Sequence, residues 1–140
     1  MKIIITGASG FVGSEIVPFL KKENVKVLLI SRYPTTLKEK FPDDDVASYE
    51  ELEVKGHGYD ALIHLAVMNN NQSKKIDDFR AANVTLLRAV LESAQRAGVK
   101  TFINTTTLHA TQKGPLSNYA RTKREAEKVL SQTNGIAVVN

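Results

Sequence analysis

The segment "KIIITGASGFVG", residues 2–13, decides how this chain is read. An apolar run, Ile3 to Ile5, leads into glycines at positions 7, 10 and 13, and a stretch of helical character follows over residues 11–22. A strand, a glycine turn and a helix start in that order can form an anion site. The open N–H groups of the helix N-terminus and the positive end of its dipole face one point, and glycine lets a phosphate approach the backbone. The spacing is G-x-x-G-x-x-G. It differs from the G-x-G-x-x-G dinucleotide fingerprint and from the phosphate loop, which needs a following Gly-Lys-Ser/Thr. Taken alone, the turn admits two readings, a phosphate cradle or a tight bend between strand and helix.

Outward from this turn, the same alternation repeats. Apolar runs at 25–30, 61–66, 101–105 and 136–139 predict further strands, with one short strand near 45–48. They are continuous runs, which fits a parallel sheet covered on both faces. Helices are predicted over 11–22, 77–97 and 117–131. In the second of these, Phe79, Ala82, Leu86, Leu87, Val90, Leu91 and Ala94 keep helical spacing, and Gly98 supplies the stop. Pro18 predicts a bend in the first helix. Residues 32–60, with two prolines and an acid triplet, otherwise predict loops. The fold class is α/β, a doubly wound parallel sheet.

Composition narrows the function. The 140 residues suit one domain, 1–140, and the last apolar run stops at Asn140 with nothing to cover it, so the chain is expected to be the front part of a longer protein. Hydrophobic residues make up 42% and charged residues 24%, and no run approaches the ~18 apolar residues of a membrane span. Without a signal-peptide pattern, the expected location is cytoplasmic, with no membrane partner. With no cysteine, and with His57, His64 and His109 scattered, no metal site is expected. The net charge of +4 is dispersed among acids, as in "RTKREAEK", so no nucleic-acid face is expected.

The turn "TGASGFVG" directly after the first strand resembles the opening of the extended short-chain dehydrogenase/reductase (SDR) family, the NAD(P)-dependent epimerases, dehydratases and reductases. Three further segments agree in order: "YDALIHLA" (59–66), "NVTLLRAVLESAQRAGVKTFINTTT" (83–107) and the Tyr-x-x-x-Lys pattern "YARTK" (119–123). The resemblance covers essentially the whole chain. It implies a Rossmann-like domain apparently lacking the C-terminal substrate domain. Gly7, Ser9, Gly10, Phe11, Val12, Gly13, Ser31, Arg32, Leu65, Ala66 and Lys123 are then expected to bind the cofactor, and a nucleotide-sugar substrate and a homodimer are implied as partners.

Tyr119 and Lys123 are four residues apart, so they share one helix face. A cation beside a phenol lowers its pKa from ~10, which makes Tyr119 an expected acid/base. The resemblance implies that Tyr119 exchanges a proton with a substrate hydroxyl or carbonyl while Lys123 also holds the nicotinamide ribose. Matching to the family's Ser/Thr run assigns the carbonyl-orienting hydroxyl to Thr107, with Thr106 second. Three threonines also simply end a strand. Asn83 matches the family's helix asparagine and reads equally well as a local hydrogen bonder. His64 reads as a buried strand histidine ahead of a catalyst.

After the second strand, "VLLISRYP" has no acid to bind an adenosine 2′-hydroxyl. Ser31 and Arg32 would suit a 2′-phosphate, so NADP(H) is the preferred cofactor, with NAD(H) the alternative if Arg32 only stacks on adenine. The short gap in "TTTLHATQKGPLSNYARTK" (105–123) resembles the reductase domain of bifunctional capsular-polysaccharide enzymes. It implies NADPH-dependent reduction of a keto group on a nucleotide-activated sugar. The alternatives are an NAD-dependent epimerase or dehydratase, and a dinucleotide-binding domain that turns nothing over.

Overall fold

The computed structural model describes residues 1–69 and 75–140. Six parallel strands, β1 (Lys2–Thr6), β2 (Lys26–Ile30), β3 (Asp45–Ala47), β4 (Ala61–His64), β5 (Thr101–Asn104) and β6 (Ala137–Val139), form one sheet in the order β3-β2-β1-β4-β5-β6. The helices are α1 (Phe11–Lys22), α2 (Pro34–Lys40), α3 (Leu52–Lys55), α4 (Ile76–Arg80), α5 (Leu86–Arg96) and α6 (Asn118–Ser131). This is the Rossmann-like doubly wound arrangement expected from the sequence.

Both faces of the sheet are covered because successive strand residues point to opposite sides. Ile4, Leu28, Leu62 and Phe102 pack under α3, α5 and α6, while Ile3, Ile5, Leu29 and Ile63 pack under α1 and α2. Full burial of each such side chain contributes about 1.5–3 kcal/mol, which is why the strands read as unbroken apolar runs. The second face is less complete. Ile103 is only partly buried there and Val139 is exposed.

Several local expectations are refined. Residues 32–60 are not only strand and loop. Pro34 opens α2 at a position where its missing N–H costs nothing, Leu37 buries its apolar side, and Leu52 does the same for α3. The predicted long helix is one path from Ile76 to Arg96, but a π-turn, Ala81–Thr85, widens it in the middle. Gly98 closes α5 at φ +78°, with Val99 N–H on the Ala94 carbonyl and Gly98 N–H on that of Gln95, a Schellman stop. Pro18 does not end α1; it lies on the exposed side, where water can reach the unbonded carbonyl.

Candidate functional site

The chain leaves β1 toward one side of the sheet and β4 toward the other, so a crevice opens at the carboxyl ends of these adjacent strands. The glycine turn lies in it, and the three glycines have different tasks. Gly7 adopts φ +76°, and a Cβ there would sit 2.6 Å from the Ala66 nitrogen. A Cβ on Gly13 would sit 2.4 Å from the Gly7 carbonyl, so Gly13 packs the helix onto the turn and does not face a ligand. Gly10 is the open one: its Cβ would meet only the Gly7 oxygen, at 3.3 Å. As the N-cap of α1 it provides no side-chain cap, and the first-turn N–H groups stay available. Phe11 and Val12 turn their side chains to solvent, so any contribution from them is through the backbone.

A cleft of about 300 Å³ runs from this turn, lined among others by Gly7, Ser9, Gly10, Ser31, Arg32, Leu65 and Ala66. These seven of the expected cofactor residues are thus brought together. Tyr33, Tyr49, Val67 and Met68, which had not been singled out, also line it, as do Ala82 and Leu86 of the predicted long helix. Tyr49 had a usable signal, because it lies just past the end of β3, on the ligand-binding edge of the sheet. At this end the Arg32 guanidinium lies 6.0 Å from the centre of the Tyr33 ring. Burial raises the Tyr49 phenol pKa and the Arg32 charge opposes that rise, so Arg32 is within electrostatic reach of Tyr49. No carboxylate lines the cleft among the described residues. An open glycine cradle, an uncapped helix start and a cation without a competing acid fit a phosphate-bearing dinucleotide.

The catalytic candidates lie beyond that cleft, at the ends of β5 and the start of α6. Ser117 caps α6 by accepting from Ala120 N–H. Lys123 is almost fully buried, 1% exposed, and its ammonium donates to the Thr105 carbonyl. Burial pulls its pKa from 10.5 down to about 8. The expected lowering of the Tyr119 pKa is not found: burial raises it, and no cation acts on it, because Lys123 points inward to β5. Thr106 donates to Glu127, Thr105 donates to the His64 carbonyl, and Thr107 caps the short 3-10 turn at Leu108–Thr111. Arg124 holds the carbonyls of Ala110 and Gln112, both at 2.6 Å, and so anchors the segment between the threonines and Tyr119. No motif in the sequence points to that clamp.

Asn83 lies in the π-turn, and its side chain is engaged by bonds to distant segments. Its Oδ1 accepts from Met68 N–H at 2.7 Å, and its Nδ2 donates to the Met68 carbonyl at 3.0 Å and to Thr122 Oγ1 at 3.1 Å. It therefore ties the wall after β4 to α6. His64 is buried in β4, with Nδ1 2.8 Å from Thr6 Oγ1. Thr6 Oγ1 also accepts from Ala66 N–H at 3.4 Å, and His64 Nε2 is buried with no hydrogen-bond partner among the described residues. Burial, aided by the Lys123 charge, drops the His64 pKa to about 3. A ring neutral throughout the ordinary pH range is a structural histidine and no proton shuttle.

The model of the NAD dependent epimerase/dehydratase family matches residues 3–139. An uncharacterized UDP-glucose epimerase of Bacillus subtilis (strain 168), YtcB, is 30% identical over 178 positions, covering 99% of this chain and 54% of that protein. The alignment is longer than this chain's 140 residues, so YtcB has extra residues between the matched segments. Among solved structures, UDP-glucose 4-epimerase of Thermotoga maritima with UDP-glucose superposes with a TM-score of 0.83 at 21% identity, over 99% of this chain and 53% of that one. UDP-glucuronic acid 4-epimerase of Bacillus cereus with NAD gives 0.80 at 22%, over 99% and 55%. This chain thus spans about half the length of the relatives it matches. With the fold, the glycine turn and the Tyr-x-x-x-Lys helix in their places, the chain belongs to the NAD dependent epimerase/dehydratase family of the short-chain dehydrogenase/reductase type.

Proposed function

We propose that this chain is the dinucleotide-binding part of an enzyme that reduces a keto group on a nucleotide-activated sugar with NADPH. The observation that carries the cofactor reading is the edge after β2, where Ser31 and Arg32 line the cleft and, among the described residues, no carboxylate does. A 2′-phosphate there gains a charge-assisted partner, whereas a 2′-hydroxyl finds no acceptor of the kind NAD sites supply. The UDP-sugar names of the relatives support the substrate class.

When bound, the nicotinamide supplies a hydride to the substrate carbon. The residues of this chain do the rest. The first turn of α1 holds the pyrophosphate, and Gly10 keeps the approach clear. Tyr119, kept protonated by its burial, delivers the proton to the nascent alkoxide, and Thr107 orients the carbonyl. Lys123, bonded to the Thr105 carbonyl, ties α6 to the end of β5. Asn83 holds the Met68 backbone that forms the cleft's far wall.

The test is NADPH consumption with a UDP-linked 4-keto deoxysugar, measured on this chain and on a longer protein containing it. NADPH is expected to be oxidised, and Tyr119→Phe is expected to slow the reaction about a hundredfold or more. If Tyr119→Phe keeps most of the rate, the proton-donor assignment is wrong. A second reading, an NAD-dependent epimerase, is favoured by the epimerase relatives. It predicts interconversion of UDP-hexoses with no net consumption of dinucleotide, and tightly co-purifying NAD. A homodimer through α5 and α6 gains no support from apolar surface: none of the large exposed hydrophobics of the described residues lies on either helix. No helix among the described residues is long and apolar enough to cross a membrane.

A further inference from the structure

We propose that Lys40, at the end of α2, is a second cation of the adenosine 2′-phosphate site. It joins Arg32 in selecting the phosphorylated dinucleotide, and the assignment rests on the NADPH reading above. The geometry comes from an element that the sequence pattern did not reveal. α2 starts two residues after Arg32, runs Pro34–Lys40, and is pinned by the buried Leu37. Its last residue is thereby carried back to the glycine turn. Lys40 Nζ donates to the Ser9 carbonyl at 3.1 Å, a contact spanning 31 residues of sequence. Ser9 lies between Gly7 and Gly10 and lines the cleft together with Ser31 and Arg32.

The ammonium is not consumed by this contact. It has three donors, and Ser9 takes one. Phe41 lies beneath it, ring centre 5.6 Å away, which favours a cation at this spot without neutralising it. The other lysines of the segment are engaged elsewhere: Lys38 donates to the Asp44 carbonyl, and Lys21 pairs with the Asp44 carboxylate. Among the described residues, Lys40 forms no ion pair. Arg32 lines the cleft and Lys40 holds the carbonyl of Ser9 in its wall, so two positive charges are available to a dianionic 2′-phosphate, which they would distinguish strongly from a hydroxyl.

The competing role is a brace, in which Lys40 only steadies the turn. A brace serves the pyrophosphate, which NADPH and NADH share, so the two roles separate in the ratio of affinities. The experiment titrates the 140-residue chain and its Lys40→Met and Lys40→Arg variants with NADPH, NADH, 2′,5′-ADP and 5′-AMP, at low and moderate salt. Lys40→Met is expected to weaken NADPH and 2′,5′-ADP by about fivefold or more, some 1 kcal/mol, while NADH and 5′-AMP stay within about twofold. Its NADPH affinity should also depend less steeply on salt, and Lys40→Arg should retain most of the preference. Equal losses for NADPH and NADH, or no loss for either, overturn the proposal. A wild-type chain that prefers NADPH while Lys40→Met keeps the full ratio sinks Lys40 alone. A wild-type chain with no preference for the phosphorylated ligands sinks the NADPH reading and this assignment with it.

Discussion

The glycine turn and the tyrosine helix stand at the same edge of the sheet, yet they are built in opposite ways. Around the turn the working groups are backbone N–H groups and open space, set by Gly7 and Gly13, whose neighbours leave no room for a side chain, and by the open Gly10, beside a cleft of about 300 Å³. Around α6 the working groups are side chains held by bonds: Lys123 to the Thr105 carbonyl, Thr106 to the Glu127 side chain, Arg124 to the Ala110 and Gln112 carbonyls. None of Tyr119, Lys123 or Thr107 lines the cleft. The cleft and the candidate proton donor are thus separate features of this edge of the sheet.

Substitutions can break this contrast, the most severe first. Gly13→Ala should prevent stable folding, because its methyl would overlap the Gly7 carbonyl and the Ala8 backbone at 2.4 and 2.6 Å with no flexible group to yield. Loss of the cooperative urea transition checks it. Gly10→Ala at the neighbouring turn position meets only one atom at 3.3 Å, so it should fold with a loss under about 1 kcal/mol and instead weaken dinucleotide binding.

The second prediction concerns acid stability. His64 binds its proton with a pKa of about 3 folded against 6.5 ordinarily, so between those values the unfolded chain takes up a proton that the folded chain refuses. Stability must fall as pH drops from 6.5 toward 3, by up to about 5 kcal/mol in all. In His64→Gln that part of the slope should vanish in urea titrations across the window; an unchanged slope would contradict a buried neutral ring.

Lys123 gives the third, with the same course on the alkaline side. Its folded pKa of about 8 lies below the ordinary 10.5, so the charged form is disfavoured at neutral pH and stability rises as pH climbs through that interval. Lys123→Met should be more stable at pH 7 by roughly 2 kcal/mol, less than the full shift because the bond to Thr105 is lost, and this advantage should shrink toward pH 10.5. A loss of stability at pH 7 would mean that the bond to Thr105 outweighs burial. The smallest effect belongs to Asn83→Ala: about 1–2 kcal/mol of stability from the unpaired Met68 groups, with slackening of the cleft wall seen as faster amide exchange at Met68.

The same contrast explains what could be read in advance. The strands, α1, α5 and α6 were legible because their apolar spacing is local and continuous, and the glycine turn was legible because its backbone demands are met by one residue type. α2 was hidden behind "RYPTTLKEK", where two threonines and a proline dilute the helical pattern and burial of Leu37 makes the difference. Tyr49 and Lys40 reach the site through tertiary folding from segments with no motif. Spacing placed Tyr119 and Lys123 on one helix, but it could not tell which way the lysine turns, and that choice reverses the expected shift of the phenol. Helical periodicity fixes a face; the bond at the end of a long side chain is decided by the carbonyl that packing brings within reach.

The most direct measurement is a titration of the 140-residue chain with NADPH and NADH at one ionic strength, repeated with Arg32→Ala. The account predicts binding by the isolated chain, a preference for NADPH of about tenfold or more, worth some 1.4 kcal/mol, and loss of most of that preference in the variant. Equal affinity for the two dinucleotides, or a preference for NADH that Arg32→Ala leaves untouched, would contradict it.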